Sequence, residues 1–236
     1  MKAVLVDLGD VLIVDDITLA ASTEGFRIGL EAIGRSGRVS PTRIMLWLRR
    51  AVGEGGTRRE HEQDLVALAR RALRELTGEG VTPDEADAFL VASHRHFHRF
   101  QRLLPDGERL LRGLRERRLP VAVVSNTPTP PPLMGSLLDD LGITPLVDSV
   151  VLSSAGHRRK PHPDMFVAAA GSLGVAPADG VMLGDRIHED VGGGGAVGMA
   201  TVLVTWARPA TDQSGPDCVA GCAEEALRFI DAWSAR

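Results

Sequence analysis

Residues 1–16 read MKAVLVDLGDVLIVDD. The apolar run Ala3-Val4-Leu5-Val6 stops at Asp7, as a buried strand of a parallel sheet does. A carboxylate at the carboxyl end of such a strand lies where open α/β sheets bind ligands. By itself Asp7 reads equally well as a turn or capping aspartate. Further polar positions later in the chain, two of them after strands of the same kind, favour the functional reading.

After Asp16 the pattern turns helical for a long stretch. Phe26, Leu30 and Ile33 recur at helical spacing, and Ile44, Leu46, Leu48 and Val52 do so more loosely. Leu65, Leu68, Ala69, Ala72, Leu73 and Leu76 form an amphipathic stripe. Glycine-rich breaks at 34–37, 53–56 and 78–80 separate these helices. Thr82-Pro83-Asp84-Glu85 is a helix start, with proline at the first helical position and acids in the first turn. That helix is expected to run to about Phe100. Residues 17–100 thus read as an all-helical unit inserted after the first strand.

From Pro105 the rhythm becomes α/β. Helices are expected over 106–117, 135–141, 164–173 and 224–233, and strands over 121–124, 149–152, 181–183 and 201–204. The stretch 127–132 holds four prolines and reads as a loop. Alternating strand and helix implies a doubly wound parallel sheet with right-handed crossovers. The expected division is an α/β core from 1–16 and 101–236, and a helical cap from 17–100.

Composition narrows the function classes. A chain of 236 residues, 44% hydrophobic, can fill a real core. A formal charge of −4 argues against a nucleic-acid binder, whose binding face is usually basic. No apolar stretch reaches the ~20 residues that a membrane helix needs. The N-terminus lacks a signal-peptide pattern, because its apolar run meets an acid at once. Cys218 and Cys222 stand without a second ligand cluster and read as ordinary thiols of a cytoplasmic protein.

Three expected strands end in polar groups: Asp7, Ser125 with Asn126, and Asp185. Their carboxyl ends meet at one edge of a parallel sheet. Lys160 precedes a helix that can reach the same edge, and Glu189 and Asp190 follow Asp185 closely. Carboxylates packed together repel unless a cation neutralises them. Hard oxygen ligands with open positions suit Mg²⁺. A nucleophilic carboxylate, a metal, a hydroxyl and an ammonium group together make a phosphoryl-transfer site.

The motifs DLGDVL (7–12), VVSNT (123–127), KPHPDMF (160–166) and GDRIHED (184–190), in that order, resemble the haloacid dehalogenase-like hydrolase superfamily. The insert after the first motif resembles the helical cap of its phosphatase branch. The resemblance covers nearly the whole chain and implies a Rossmann-like core and a Mg²⁺-dependent phosphatase. By position, Asp7 is the implied nucleophile, and Ser125 and Lys160 the implied phosphate ligands. Asn126 supports the loop or contacts substrate, and Asp185 holds the metal. Asp190 is a second acid at the metal or a brace for Lys160, with Glu189 a weaker candidate. A small phosphorylated metabolite is the implied substrate, and a monomer or homodimer the implied assembly.

Two positions depart from the family pattern. The family's acid/base aspartate, two residues after the nucleophile, is here Gly9, followed by Asp10. Gly9 still offers the backbone carbonyl that holds metal in the family. In an extended segment Asp10 points to the opposite side, and a turn at flexible Gly9 is needed to bring it back as acid/base. The second departure is the run Gly192-Gly193-Gly194-Gly195, which predicts a frayed segment after Asp190. Two competing functions follow. One is a metal-independent 2-haloacid dehalogenase, disfavoured by Asp185. The other is a catalytically weak module that binds a phosphorylated ligand or a protein.

Other clusters read as ordinary surface or core. His94, His96 and His98 alternate with arginines and lack an acid, so a helix surface fits them better than a metal site. Trp47 reads as core. His157-Arg158-Arg159 leads into Lys160 and reads equally as rim contact or surface charge. Substrate choice is expected to lie in the insert, with the loops 34–40 and 53–59 as its contributors.

Overall fold

A computed structural model describes residues 2–53, 60–209 and 215–235. Its centre is a six-stranded sheet in the order β5-β4-β1-β6-β7-β8. These are β1 (Ala3–Val6), β4 (Val121–Ser125), β5 (Ser149–Leu152), β6 (Gly180–Gly184), β7 (Ala200–Val204) and β8 (Cys218–Ala220). Every pairing in it is parallel. The chain leaves β1 and returns on one side as β4 and on the other as β6. The crevice beyond the carboxyl ends of these three strands is therefore a topological switch point.

The strands are apolar on both faces because both faces are covered. Val4, Val6, Val121, Val123, Val181 and Leu183 pack on one side with Leu110, Leu111 and Leu114 of α5 (Pro105–Glu116) and Ile230 of α9 (Ala223–Ser234). Ala3, Leu5, Ala122, Val124 and Met182 pack on the other with Met165, Phe166 and Ala169 of α7 (Pro163–Ser172). The alternation of neighbours between the two cores is the two-residue period of a strand.

Among the described residues, four α-helices make up the insert that follows β1: α1 (Leu19–Ala32), α2 (Pro41–Gly53), α3 (Leu65–Thr77) and α4 (Pro83–Phe97). They share a separate core of Phe26, Leu30, Ile44, Leu48, Leu73 and Phe89, joined by Leu133 of α6 (Pro131–Asp140). α4 starts on a capping box in which Thr82 and Glu85 satisfy each other's backbone N–H groups. None of these helices is long and apolar enough to cross a membrane.

Three short strands escape the sequence reading: β8, and the antiparallel pair β2 (Ile13–Asp15) and β3 (Gln101–Leu103) at the two roots of the insert. Each has three residues, too few to display a period. Helix α6 begins inside the stretch expected to be loop, at Pro131. Proline lacks only a donor that the first helical turn leaves unpaired anyway.

The glycine run corrects a second expectation. Instead of fraying, 187–192 form a π-helical turn that continues into α8 (Gly193–Ala196). Gly193 and Gly194 are buried, and a β-carbon on Gly193 would stand 2.6 Å from the ring of Phe166. The glycines are thin because α7 and β6 press against them.

Candidate active site

Lys160 is the hub of the crevice. It is 3% exposed, and its ammonium donates to Asp7 Oδ1 at 2.5 Å, Asp190 Oδ1 at 2.6 Å and the Val124 carbonyl at 2.8 Å. These bonds use all three of its protons. Asn126, one residue past β4, clamps the lysine's backbone from both sides. Its Oδ1 accepts from Lys160 N at 2.8 Å, and its Nδ2 donates to Lys160 O at 3.0 Å.

Asp7 stands at the end of β1, its backbone N–H bonded to Leu183 O at 2.9 Å. Asp190 is fully buried, and its other oxygen accepts from Arg186 N at 3.1 Å. It fits only because β6 ends in Gly184. A β-carbon there would lie 2.2 Å from the Asp190 carboxyl.

Asp185 follows Gly184 with a side chain 3% exposed, facing Arg208 and, at 3.3 Å, Arg186. Asp7, Asp185 and Asp190 each offer an oxygen within 4.8 Å of the others. Among the described residues this is the one cluster of its kind, so His94, His96 and His98 form none.

The charges are strained towards neutrality. Burial raises the carboxyls of Asp7, Asp185 and Asp190 above the ordinary carboxylate range. For Asp185 the Asp7 charge adds to burial, and Arg208 opposes it. Burial pushes the Lys160 ammonium down, but Asp190 and Asp7 more than reverse this and keep it charged. Asp7 and Asp190 share one ammonium, Asp185 faces two guanidinium groups, and the three carboxylates still crowd together. The donor set is all oxygen and hard, and it fits a small divalent cation.

All eight site positions expected from the sequence line one cavity of about 250 Å³: Asp7, Gly9, Asp10, Ser125, Asn126, Lys160, Asp185 and Asp190. The one that changes its reading is Asp10. An extended segment would turn it away, but Asp10 adopts φ 56° and bonds its N–H to Ile13 O at 2.8 Å. The turn brings it to the same cavity, with its carboxylate 3.9 Å from Arg208. Aspartate is among the few residues that tolerate this left-handed conformation.

Sequence reasoning missed how the insert meets the core. Residues 60–61 pair with 158–159, through a bridge between His61 and Arg158 and a bond from Arg159 N to Glu60 O at 2.7 Å. Beside them Arg159 pairs with the buried carboxylate of Glu62. Arg159 also lines the cavity, so the rim reading of that cluster holds for it. The expected loop 53–59 ends just before this contact, and its residues 54–59 lie outside the described ones. In the other loop, Arg35 turns to Glu79 and Glu85 within the insert. Trp47 is partly buried against the helical core and donates to Glu75.

Comparison with known proteins adds to this geometry. Residues 1–198 match the family model described as haloacid dehalogenase-like hydrolase. A phosphoserine phosphatase of Thermus thermophilus is 30% identical over 94% of this chain and 96% of its own. A ribulose-1,5-bisphosphate 5-phosphatase of Halopiger xanaduensis is 34% identical over 63% of this chain, a match spanning 60% of that protein. A 2-haloacid dehalogenase structure from Pseudomonas syringae pv. Tomato covers 99% of both chains with a TM-score of 0.70. At 20% identity, that likeness is one of fold.

Proposed function

The chain belongs to the haloacid dehalogenase-like hydrolases, and from that premise we propose that it is a Mg²⁺-dependent phosphatase of a small phosphorylated metabolite. The observation that carries the reading is the crowding of Asp7, Asp185 and Asp190, each with an oxygen within 4.8 Å of the others. A dehalogenase has no need of a surplus of carboxylates. The curated relatives compared above are phosphatases.

In this reading Asp7 attacks phosphorus, forms an aspartyl-phosphate and expels the leaving oxygen. Water then attacks the same phosphorus and frees Asp7. The Ser125 hydroxyl holds one phosphoryl oxygen, and the Lys160 ammonium, kept in place by Asp190 and Val124 O, exchanges its bond to Asp7 for a second phosphoryl oxygen as Asp7 attacks. Asn126 fixes the backbone that carries Lys160. Asp10, turned into the cavity, gives the departing oxygen its proton and later takes one from water. A cation held by Asp7, Asp185 and the Gly9 carbonyl, with Asp190 beside them, would neutralise charge on the phosphoryl group. Substrate selection falls to the cap formed by 17–100, set against the core of 1–16 and 101–236.

Phosphate release from an aryl phosphate should vanish with EDTA and return with Mg²⁺. Asp185→Asn should raise the Mg²⁺ requirement sharply. In calorimetry it should also weaken Mg²⁺ binding, a readout independent of turnover. Metal-independent halide release from 2-chloropropionate would overturn the proposal.

A further inference from the structure

Arg159 lines the cavity that holds Asp7 and Lys160, and the mechanism above gives it no task. Its guanidinium is held in place. Nη1 pairs with Glu62, whose carboxylate is 5% exposed and also accepts from the Ser153 hydroxyl at 2.9 Å. Ser153 in turn accepts from Thr127 N at 2.8 Å, two residues past Ser125. The backbone pairing of 60–61 with 158–159 fixes the chain on both sides.

Glu62 takes one corner of a planar fork that carries five donors. Nε is buried and has no partner. A buried donor on a charged group is costly to leave unpaired. The other cations of the site are committed. Lys160 has spent its protons on Asp7, Asp190 and Val124 O, and Arg186 and Arg208 both face Asp185. Arg159 is therefore the cation of the cavity wall with donors left over after its one ion pair.

We propose that Arg159 recognises a second anionic group, carboxylate or phosphate, on the leaving-group side of the substrate. This rests on the phosphatase reading. The planar fork of a guanidinium can donate two parallel bonds to the oxygens of such a group. Arg159 and Lys160 line one cavity of about 250 Å³, so a substrate whose two anions meet both residues is short. Arg159 is then the residue that selects short, doubly anionic phosphomonoesters.

The test compares kcat/KM of the full chain for four compounds. 2-Phosphoglycolate is set against its neutral amide, and ethane-1,2-diol bisphosphate against 2-hydroxyethyl phosphate. The wild type should favour the anionic member of at least one pair by about 10–100-fold, mainly through KM. The pair that shows the preference identifies the group as carboxylate or phosphate. Arg159→Gln should collapse the ratio, Arg159→Lys should restore part of it, and Glu62→Gln should keep it.

If Arg159 only ties insert to core, Arg159→Gln and Glu62→Gln will slow all compounds alike and leave the ratios untouched, which overturns the inference. Aryl phosphate turnover without preference in either pair also overturns it and leaves the phosphatase reading standing. If no compound releases phosphate, the phosphatase reading fails. Calorimetric binding of the same compounds to the Asp7→Asn chain then decides the inference. Tighter anion binding that Arg159→Gln abolishes upholds it, and equal binding within both pairs rejects it.

Discussion

A β-carbon at position 184 would collide with the Asp190 carboxyl at 2.2 Å, so Gly184 is part of the site although it has no chemistry of its own. It lets the acid come close enough to share Lys160 with Asp7. The proposed acid/base role turns on the neighbouring pair Gly9 and Asp10. Gly9 has no side chain to move a proton, and a β-carbon there meets nothing within 4 Å. Asp10, in its left-handed turn, reaches the cavity instead. Asp10→Asn keeps a residue that tolerates this backbone and removes the acid. It should slow hydrolysis of alkyl phosphates by about 10²–10⁴-fold, and that of aryl phosphates, whose leaving groups need no proton, much less. Gly9→Asp, added to Asp10→Asn, should restore part of the loss. Equal rates for Asp10→Asn and wild type on an alkyl phosphate would exclude Asp10 from proton transfer.

Two elements carry predictions of stability. In α8 neighbouring glycines face opposite fates. A β-carbon on Gly193 meets Phe166 at 2.6 Å and the Pro161 backbone at 3.0 Å, whereas on Gly195 its nearest contact is 4.0 Å away. Gly193→Ala should therefore cost about 1–3 kcal/mol through overpacking. Gly195→Ala should gain about 0.5–1 kcal/mol from the lower backbone entropy of alanine. Urea unfolding of the two variants should shift in opposite directions. Shifts of the same sign would mean that the run is not packed as described. In α4, burial holds the His94 imidazole down from 6.5 to about 4, against its bond to Leu90 O and with His98 adding repulsion. Asp15 and Arg49 line the cavity beside it. The folded value lies below the unfolded one, so stability is full above pH 6.5. It falls as the unfolded chain takes up a proton, and the loss levels off near pH 4. The loss amounts to about 3 kcal/mol at 1.36 kcal/mol per unit. His94→Leu should flatten the stability curve across that window. Parallel curves for the two chains would contradict a half-buried imidazole kept neutral in the fold.

Across the whole molecule, the parts legible in the sequence are those whose signal is local. β1, β4, β6 and β7 show as apolar runs because the sheet is covered on both faces. The polar residues that end three of them mark the crevice for the same reason. β2, β3 and β8 stay hidden because three residues have no period. The Glu62–Arg159 pair stays hidden because its members lie 97 positions apart, and only the docking of insert on core makes them neighbours. The glycine run misled because helix propensity counts the cost of glycine and not the close approach it permits. In the proposed reaction Asp7 carries the phosphoryl group from substrate to water. The most direct test is an acid quench during turnover of an aryl phosphate with Mg²⁺, followed by peptide mass analysis. A phosphoryl group should appear on Asp7 before the steady state and be missing in Asp7→Asn. Sustained turnover with Asp7 never modified, or with the phosphoryl group on another residue, would contradict it.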